Sequence, residues 1–314
     1  MRRKTTIAKV VEKINLKVKL GRKRLKNPVI YASGTFGYGV EFKDIVDFNF
    51  IGAFVTKTVT LHPKKGNRPP RIIELDGGVL NSIGLENPGI DMFLKEKLPL
   101  IKKLNIPFIV SIAGKNLDEF VEITKKLNKI KEIFAIELNL SCPNIKGKII
   151  SQNEKLTYKI VKAIREKTKK TLIIKLTPQV KDITKVAKKA YEAGADILSL
   201  VNTYLGIAVD IENQKFFLGE KFGGYSGKAI KPLALYCVYK VAQSLKIPII
   251  GGGGISTWQD ALEFFLVGAH YVSIGTAVLS NPDIAKEIVS GITSYLKKKR
   301  IKDIKEIIGK LLYA

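Results

Sequence analysis

The apolar positions of this chain follow two alternating patterns. Short runs rich in β-branched residues, too short for a helix and lacking a polar face, predict buried strands. They lie at Pro28–Ala32, Gly52–Thr56, Phe108–Ile112, Ala135–Leu140, Leu172–Leu176, Ile197–Val201, Pro248–Gly251 and Tyr271–Ile274. Between them apolar residues recur with a helical period, at Asn116–Lys129, Lys155–Lys167, Thr184–Ala193, Leu233–Leu245 and Trp258–Leu266. Gly194-Ala195-Asp196 and Gly268-Ala269-His270 punctuate two of these helices just ahead of a strand.

Eight strands, each with a helical return, predict an α/β protein built as a closed parallel (β/α)8 barrel of the TIM type. An open doubly wound sheet would carry its glycine-rich turn after the first strand. Here Gly251-Gly252-Gly253-Gly254 follows the seventh, where barrels commonly bind phosphate. The helix from about Ser256 would aim its N-terminus at that site, and Ile274-Gly275-Thr276 ends the next strand beside it. Ile14–Leu20 and Arg24–Val29, around Gly21, predict a hairpin across the barrel floor. Two long inserts, Thr60–Gly89 and Tyr204–Gly227, leave the C-terminal ends of strands two and six, at the mouth where barrel active sites sit. No linker or further repeat divides the chain, so residues 1–314 read as one domain with 1–13 as an N-terminal extension.

Composition narrows the function. With 46% hydrophobic and 26% charged residues the chain is globular rather than disordered. Its 54 Lys+Arg against 28 Asp+Glu give a net charge of +26. The carriers, such as Lys102-Lys103, Lys125-Lys126, Lys167 to Lys170, Lys188-Lys189 and Lys297 to Arg300, sit on helix faces and read as a solvated surface. No recognition helix, zinc finger or stacking aromatic motif accompanies them, so nucleic acid is not expected as a partner. Two cysteines, Cys142 and Cys237, exclude a disulfide scaffold and an iron–sulfur cluster held by this chain alone. Two histidines, His62 and His270, leave little room for a metal centre, and none is expected. Lys9, Glu12 and Lys13 interrupt the only N-terminal apolar run, and no stretch is long enough to span a bilayer, so a cytoplasmic protein without a membrane partner is expected.

The polar residues at the predicted mouth suggest the chemistry. Strand one delivers Ser33, strand two Lys57 and Thr58, strand four Asn139-Leu140-Ser141-Cys142-Pro143-Asn144, strand five Lys175, and strand six Asn202-Thr203. The first insert adds Asn81-Ser82-Ile83-Gly84-Leu85. A single lysine at a strand end snorkels to water; two converging on one mouth point to an anion or cofactor. Asn81, Asn139, Asn144 and Asn202 are neutral and carry donors and acceptors together, which suits a ring with alternating N–H and C=O edges, such as a pyrimidine. Any one of them alone equally caps a turn. No carboxylate or histidine stands at a strand end, so the Cys142 thiol is the best available proton acceptor. Cys237, on a helix face, reads as a small buried apolar residue. Glu137 lies inside strand four, facing the barrel or the helix layer. His62 reads as structural, and His270 starts strand eight on the opposite face.

The strings Asn139 to Asn144, Asn81-Ser82-Ile83-Gly84-Leu85-Glu86-Asn87-Pro88-Gly89 and Asn202-Thr203 together resemble dihydroorotate dehydrogenase, from about Leu16 to Lys310. Thr60-Leu61-His62-Pro63 with Gly66-Asn67, and Ser226 to Pro232, are similar to class 1 enzymes of B type. Class 2 members use serine as the base. The resemblance implies one FMN per chain, held by Ser33, Lys57, Thr58, Asn139, Lys175, Val201, Gly227, Gly253, Gly254, Gly275 and Thr276. It implies substrate contacts from Lys57, Asn81, Ile83, Gly84, Leu85, Asn139, Asn144, Asn202 and Thr203. It also implies oxidation of dihydroorotate to orotate in pyrimidine biosynthesis, with Cys142 as base, hydride transfer to flavin, and Lys57 bridging substrate and flavin. Ser111 departs from the family's usual Asn, Gly252 from a common Met, and the loop Ile145–Glu154 is shorter. The family further implies a homodimer, or a heterotetramer with a subunit carrying FAD and a 2Fe-2S cluster that passes electrons to NAD. Two other enzymes share parts of the pattern. A flavoprotein acting on another dihydropyrimidine differs after the Cys-Pro step, where this chain has Asn144, and a non-redox phosphate-binding barrel has no need of Cys142.

Overall fold

The structure, a computed structural model, describes residues 14–141 and 149–312; Cys142, Asn144 and the extension 1–13 lie outside the described residues. The chain opens with a hairpin of β1 (Val18–Leu20) and β2 (Lys23–Leu25). Strands β3 (Val29–Tyr31) and β4 (Ala53–Val55) begin the barrel, and β5 (Ile72–Leu75) and β6 (Gly78–Asn81) lie in the first insert. The barrel continues with β7 (Phe108–Ile112), β8 (Ala135–Asn139), β9 (Thr171–Lys175) and β10 (Ile197–Leu200). The second insert supplies β11 (Tyr204–Gly206), β12 (Val209–Asp210), β13 (Lys215–Phe216) and β14 (Gly223–Ser226). Then β15 (Ile249–Gly252) and β16 (Tyr271–Ile274) complete a closed eight-stranded parallel barrel, with β16 pairing back onto β3. All eight predicted strands form. Their continuous apolar runs suit them, because one face fills the barrel and the other meets the helices.

The outer layer is α1 (Gly89–Met92), a π turn at Phe93–Lys97, α2 (Leu98–Lys103), α3 (Leu117–Asn128), α4 (Glu154–Lys167), α5 (Ile183–Glu192), α6 (Lys231–Ser244), α7 (Trp258–Leu266), α8 (Ala277–Ser280) and α9 (Ile284–Lys298). Asn116, Asn153 and Asp182 cap α3, α4 and α5 by accepting from N–H groups in the first turn. Helix α3 buries Phe120, Ile123, Thr124 and Leu127 on one stripe.

The expectation of eight helical returns needs correction. After β3 the chain makes only 3-10 turns, at Val40–Phe42 and Phe48–Phe50. This segment has no helical period. It folds around Phe36, which stacks on Phe42 at 4.6 Å between centroids and meets the edge of Phe54 at 5.6 Å. The return after β4 is broken ahead of Pro99, which sits in the first turn of α2, where its missing N–H costs nothing.

The predicted hairpin lies against the floor. Gly21 adopts φ +55°, and a Cβ there would come within 1.8 Å of Thr171 Oγ1 at the start of β9. Tyr271, at the start of β16, donates its hydroxyl to the Lys19 carbonyl. At the opposite end the two inserts meet in a four-stranded sheet of order β11-β14-β6-β5. Its central pairing sets Asn81 opposite Gly224.

Candidate active site

The polar ends of four barrel strands converge on one hydrogen-bonded set. Ser33 Oγ, just past β3, donates to the Thr56 carbonyl at 2.7 Å and lies 3.2 Å from Thr58 Oγ1. Thr58 Oγ1 accepts from Asn139 Nδ2 at 3.2 Å, and Asn139 Oδ1 faces Asn202 Nδ2 at 3.5 Å. Asn139 is also fixed from its own strand end, since Ser141 N donates to its Oδ1 at 3.3 Å. Thr58 and Asn139 are buried, so these amide and hydroxyl groups are paired where water is scarce. Lys175 ends β9 directly opposite Asn139, and its carbonyl accepts from Ser141 Oγ at 3.4 Å.

Lys57 reaches Glu86 of the first insert, with Nζ 3.6 Å from Oε2. Arg71 binds the same oxygen at 3.1 Å and donates to the Lys65 and Asn67 carbonyls, which ties both limbs of the insert together. Within this insert Gly84 (φ +74°) and Leu85 (φ +55°) take left-handed conformations. A Cβ on Gly84 would lie 2.3 Å from Asn67 Oδ1, so the turn carrying Ile83, Gly84 and Leu85 needs glycine there. Asn81 donates to the Gly224 carbonyl at 3.1 Å, and Gly224 packs on Thr203, whose Oγ1 lies 2.1 Å from where its Cβ would be. The mouth sheet thus brings Asn81 and Thr203 to the two sides of one glycine.

A second cluster gathers glycines and hydroxyls. Gly227 (φ +116°), Gly253 (φ +127°) and Gly254 (φ +83°) are all left-handed, and a Cβ on Gly254 would stand 2.9 Å from the Gly227 carbonyl. Thr276 Oγ1 donates to Ser226 Oγ at 2.8 Å, which joins the end of β16 to the end of β14. Val201 lies on the same side, its Cγ2 3.7 Å from the space a Gly253 side chain would fill, and Gly275 has only Ala32 Cβ near it, at 3.6 Å. Backbone N–H groups freed of side chains beside two hydroxyls suit a phosphate.

The start of α7, the helix expected to face that phosphate, is capped from within its own sequence. The first turn of α7 is closed by its own capping box, in which Thr257 Oγ1 accepts from Asp260 N. The Asp260 carboxylate meanwhile takes the Ser256 and Thr257 N–H groups. Lys231 binds that carboxylate at 2.7 Å and helps hold its pKa below the usual range. The carboxylate thus sits at the positive end of α7, where an anion is favoured.

Three residues absent from the predicted site belong beside it. Glu86 and Arg71 frame Lys57, as above. Glu137, two residues before Asn139 on β8, is 2% exposed and accepts from Ser111 Oγ at 3.2 Å. Burial pushes its carboxyl pKa up, against the pull of the Lys175 charge and of the Ser111 and Ser199 hydroxyls. Their side chains come together only through strand register and the folding of the insert. His62 enters by its backbone, its carbonyl accepting from Thr60 Oγ1 at 2.6 Å. His270 lies at the floor, as expected, with Nδ1 3.4 Å from Ile249 N. Cys237 is buried in α6, 3.9 Å from the Tyr204 hydroxyl.

Comparison with known proteins agrees with this geometry. The profile of the family described as dihydroorotate dehydrogenase matches residues 15–296. A protein of Geotalea uraniireducens (strain Rf4) named dihydroorotate dehydrogenase B (NAD(+)), catalytic subunit, is 47% identical over 302 residues, covering 96% of this chain and 99% of that one. A protein of the same name from Bacteroides thetaiotaomicron is 45% identical over 299 residues, covering 95% and 99%. Among solved structures, DHODH from Eimeria tenella in complex with ferulenol superposes with a TM-score of 0.78, covering 96% of this chain and 90% of that one; at 23% identity this speaks for the fold. Matched along nearly its whole length by profile and relatives alike, the chain belongs to the dihydroorotate dehydrogenase family.

Proposed function

We propose that the chain is the catalytic subunit of a cytoplasmic, FMN-dependent enzyme that oxidises dihydroorotate to orotate. The observation that carries the reading is the set Ser33–Thr58–Asn139–Asn202, in which neutral donors and acceptors from four strand ends meet, with Lys57 next to Thr58 in the chain and Lys175 opposite Asn139. Such a mouth binds a planar ring with N–H and C=O edges and an attached carboxylate.

The second cluster fits the phosphate of FMN, with Gly227, Gly253, Gly254, Gly275 and Thr276 around it. Ser33, Lys57, Thr58, Asn139, Lys175 and Val201 would hold the rest of the cofactor. When bound, FMN supplies the two-electron acceptor of the reaction. The protein's part is to orient the substrate and to take a proton. Lys57 pairs with the substrate carboxylate, sharing its charge with Glu86. Asn81, Asn139, Asn144, Asn202 and Thr203 hold the ring edges, with Ile83, Gly84 and Leu85 as the wall of the insert. Cys142 takes the proton from C5.

The relatives' name implies a second subunit. In this reading it carries FAD and a 2Fe-2S cluster and passes electrons to NAD, because two cysteines cannot ligate a cluster here. The catalytic chains pair through the arm of the second insert. There Leu205, Ile207, Val209 and Ile211 expose an apolar side chain at every second position. Residues 204–222 carry three acidic residues and two lysines in a chain of +26, so two copies meet there without the repulsion of the lysine-rich helix faces. Among the described residues no helix is long and apolar enough to cross a membrane.

The test is spectroscopic. Purified protein supplied with FMN should show a flavin spectrum, and anaerobic dihydroorotate should bleach it. A protein that takes up no FMN, or a flavin that dihydroorotate leaves oxidised, overturns the reading. Cys142→Ala should retain FMN and bleach about 10²–10⁴-fold more slowly near neutral pH.

A further inference from the structure

Below the mouth, the barrel interior holds one carboxyl that this chemistry does not use. Glu137 and Asn139 are two apart on β8, so both side chains face inward. From Glu137 a chain of contacts climbs to the ligand side. Ser111 Oγ donates to Glu137 Oε1 at 3.2 Å, Thr58 Oγ1 lies 3.0 Å from Ser111 Oγ, and Asn139 Nδ2 donates to Thr58 Oγ1 at 3.2 Å.

Each hydroxyl has a single proton, so the direction of such a chain is decided at its end. With the Ser111 proton committed to the carboxyl, Thr58 must be the donor to Ser111. Thr58 oxygen is then left to accept from the Asn139 amide. Ser33 does not disturb this order, because its own proton goes to the Thr56 carbonyl at 2.7 Å. The Asn139 amide nitrogen therefore faces Thr58, and its oxygen faces Ser141 N and Asn202 Nδ2. An end that donated instead would reverse the hydroxyl bonds and set the Thr58 proton against the Asn139 amide nitrogen, in conflict with the Ser141 N–H that holds the amide oxygen.

We propose that Glu137 is a positioning residue. Through Ser111 and Thr58 it holds the Asn139 amide, and through that amide Asn202, in the single orientation that matches the ring edges of the substrate. The inference rests on the dihydroorotate reading above. It extends that reading to a carboxyl that touches neither substrate nor cofactor.

The experiment uses the FMN-loaded protein and follows orotate binding by its perturbation of the flavin absorbance. Ser111→Ala cuts the chain with the loss of one small hydroxyl, and Glu137→Leu removes its end. Both should keep FMN and weaken orotate about tenfold, the size of one misdirected hydrogen bond. In an Asn139→Ala background, Ser111→Ala should have no further effect on orotate, since the side chain it acts through is gone. The inference is overturned if Ser111→Ala leaves orotate affinity unchanged, or weakens it equally with and without the Asn139 amide. Should Glu137→Leu fail to fold, the Ser111→Ala and Asn139→Ala cycle decides alone. Unmutated protein that binds FMN but no orotate brings down the proposed function itself, a result distinct from either variant outcome.

Discussion

Lys57 shares Glu86 with Arg71, and the two cations divide one carboxylate between them at 3.6 and 3.1 Å. Removing Lys57 therefore leaves Glu86 paired, so the fold should tolerate the change while the ligand does not. Lys57→Met is expected to lower orotate affinity by about 10- to 100-fold, the span of one hydrogen bond to a charged group. Its unfolding midpoint should stay at the wild-type value, as calorimetry beside the flavin titration would check. At the floor, burial holds the pKa of His270 below its usual value, so the imidazole is neutral in the fold. The unfolded chain binds that proton more readily. Stability from this group is complete above about pH 6.5 and is lost as pH falls from there through the lowered pKa. The unfolding midpoint should drop from pH 7.5 to 5.5, and the drop should shrink in His270→Gln; an equal drop in the variant would clear the histidine of this role. At this scale the positions of Lys57, Lys175, Asn81, Asn139 and Asn202 at the mouth were legible, because each ends a strand or sits in a motif; Asn144 lies outside the described residues. Glu86 and Arg71 were not, since their pairing arises only when a stretch without periodicity folds back on itself.

The barrel strands carry their burial in their composition, which is why their predicted positions agree with the structure to within a residue or so. Strand β5 alternates exposed and half-buried residues, and its partners come from residues 78–81 and, through them, 223–226. Nothing local marks such pairing, so both inserts read as loops. Helix α9 packs against α7, with Gly291 beneath Trp258, a contact likewise without local sign. The capping box of α7 follows from Thr257 and Asp260, three apart at the start of an apolar run. The structure places the glycine cluster between three elements, with Gly227 as its least replaceable member. A Cβ there would lie 2.4 Å from Gly78 Cα and 2.8 Å from the Gly77 carbonyl, at φ +116°. Gly227→Ala is expected to cost about 1–3 kcal/mol of stability and to leave the purified protein depleted of FMN, measured as flavin released per chain.

For the molecule as a whole, the charge of +26 sets where it can be approached by another copy of itself. In the pairing proposed above, the contact is the arm of the second insert, where acidic residues and lysines nearly balance. Val209 and Ile211 are 56% and 77% exposed there. Val209→Glu together with Ile211→Glu should convert a dimer to a monomer in light scattering while FMN content stays constant. A dimer unaffected by both changes would move the contact elsewhere.

The mouth sheet sets an order on how the protein comes to exist. The Asn81 amide and the Gly224 carbonyl it binds are 143 residues apart, so no substrate pocket is present until most of the barrel strands have been made. A chain released from the ribosome after β10 would own six of the eight staves and the hairpin of the first insert, with β6 paired to β5 but its other edge left without β14. Pairings over such distances close late, because loop closure is slow. Capture of the ligand therefore reports a finished chain, and a truncated product makes no half-competent enzyme to compete for it.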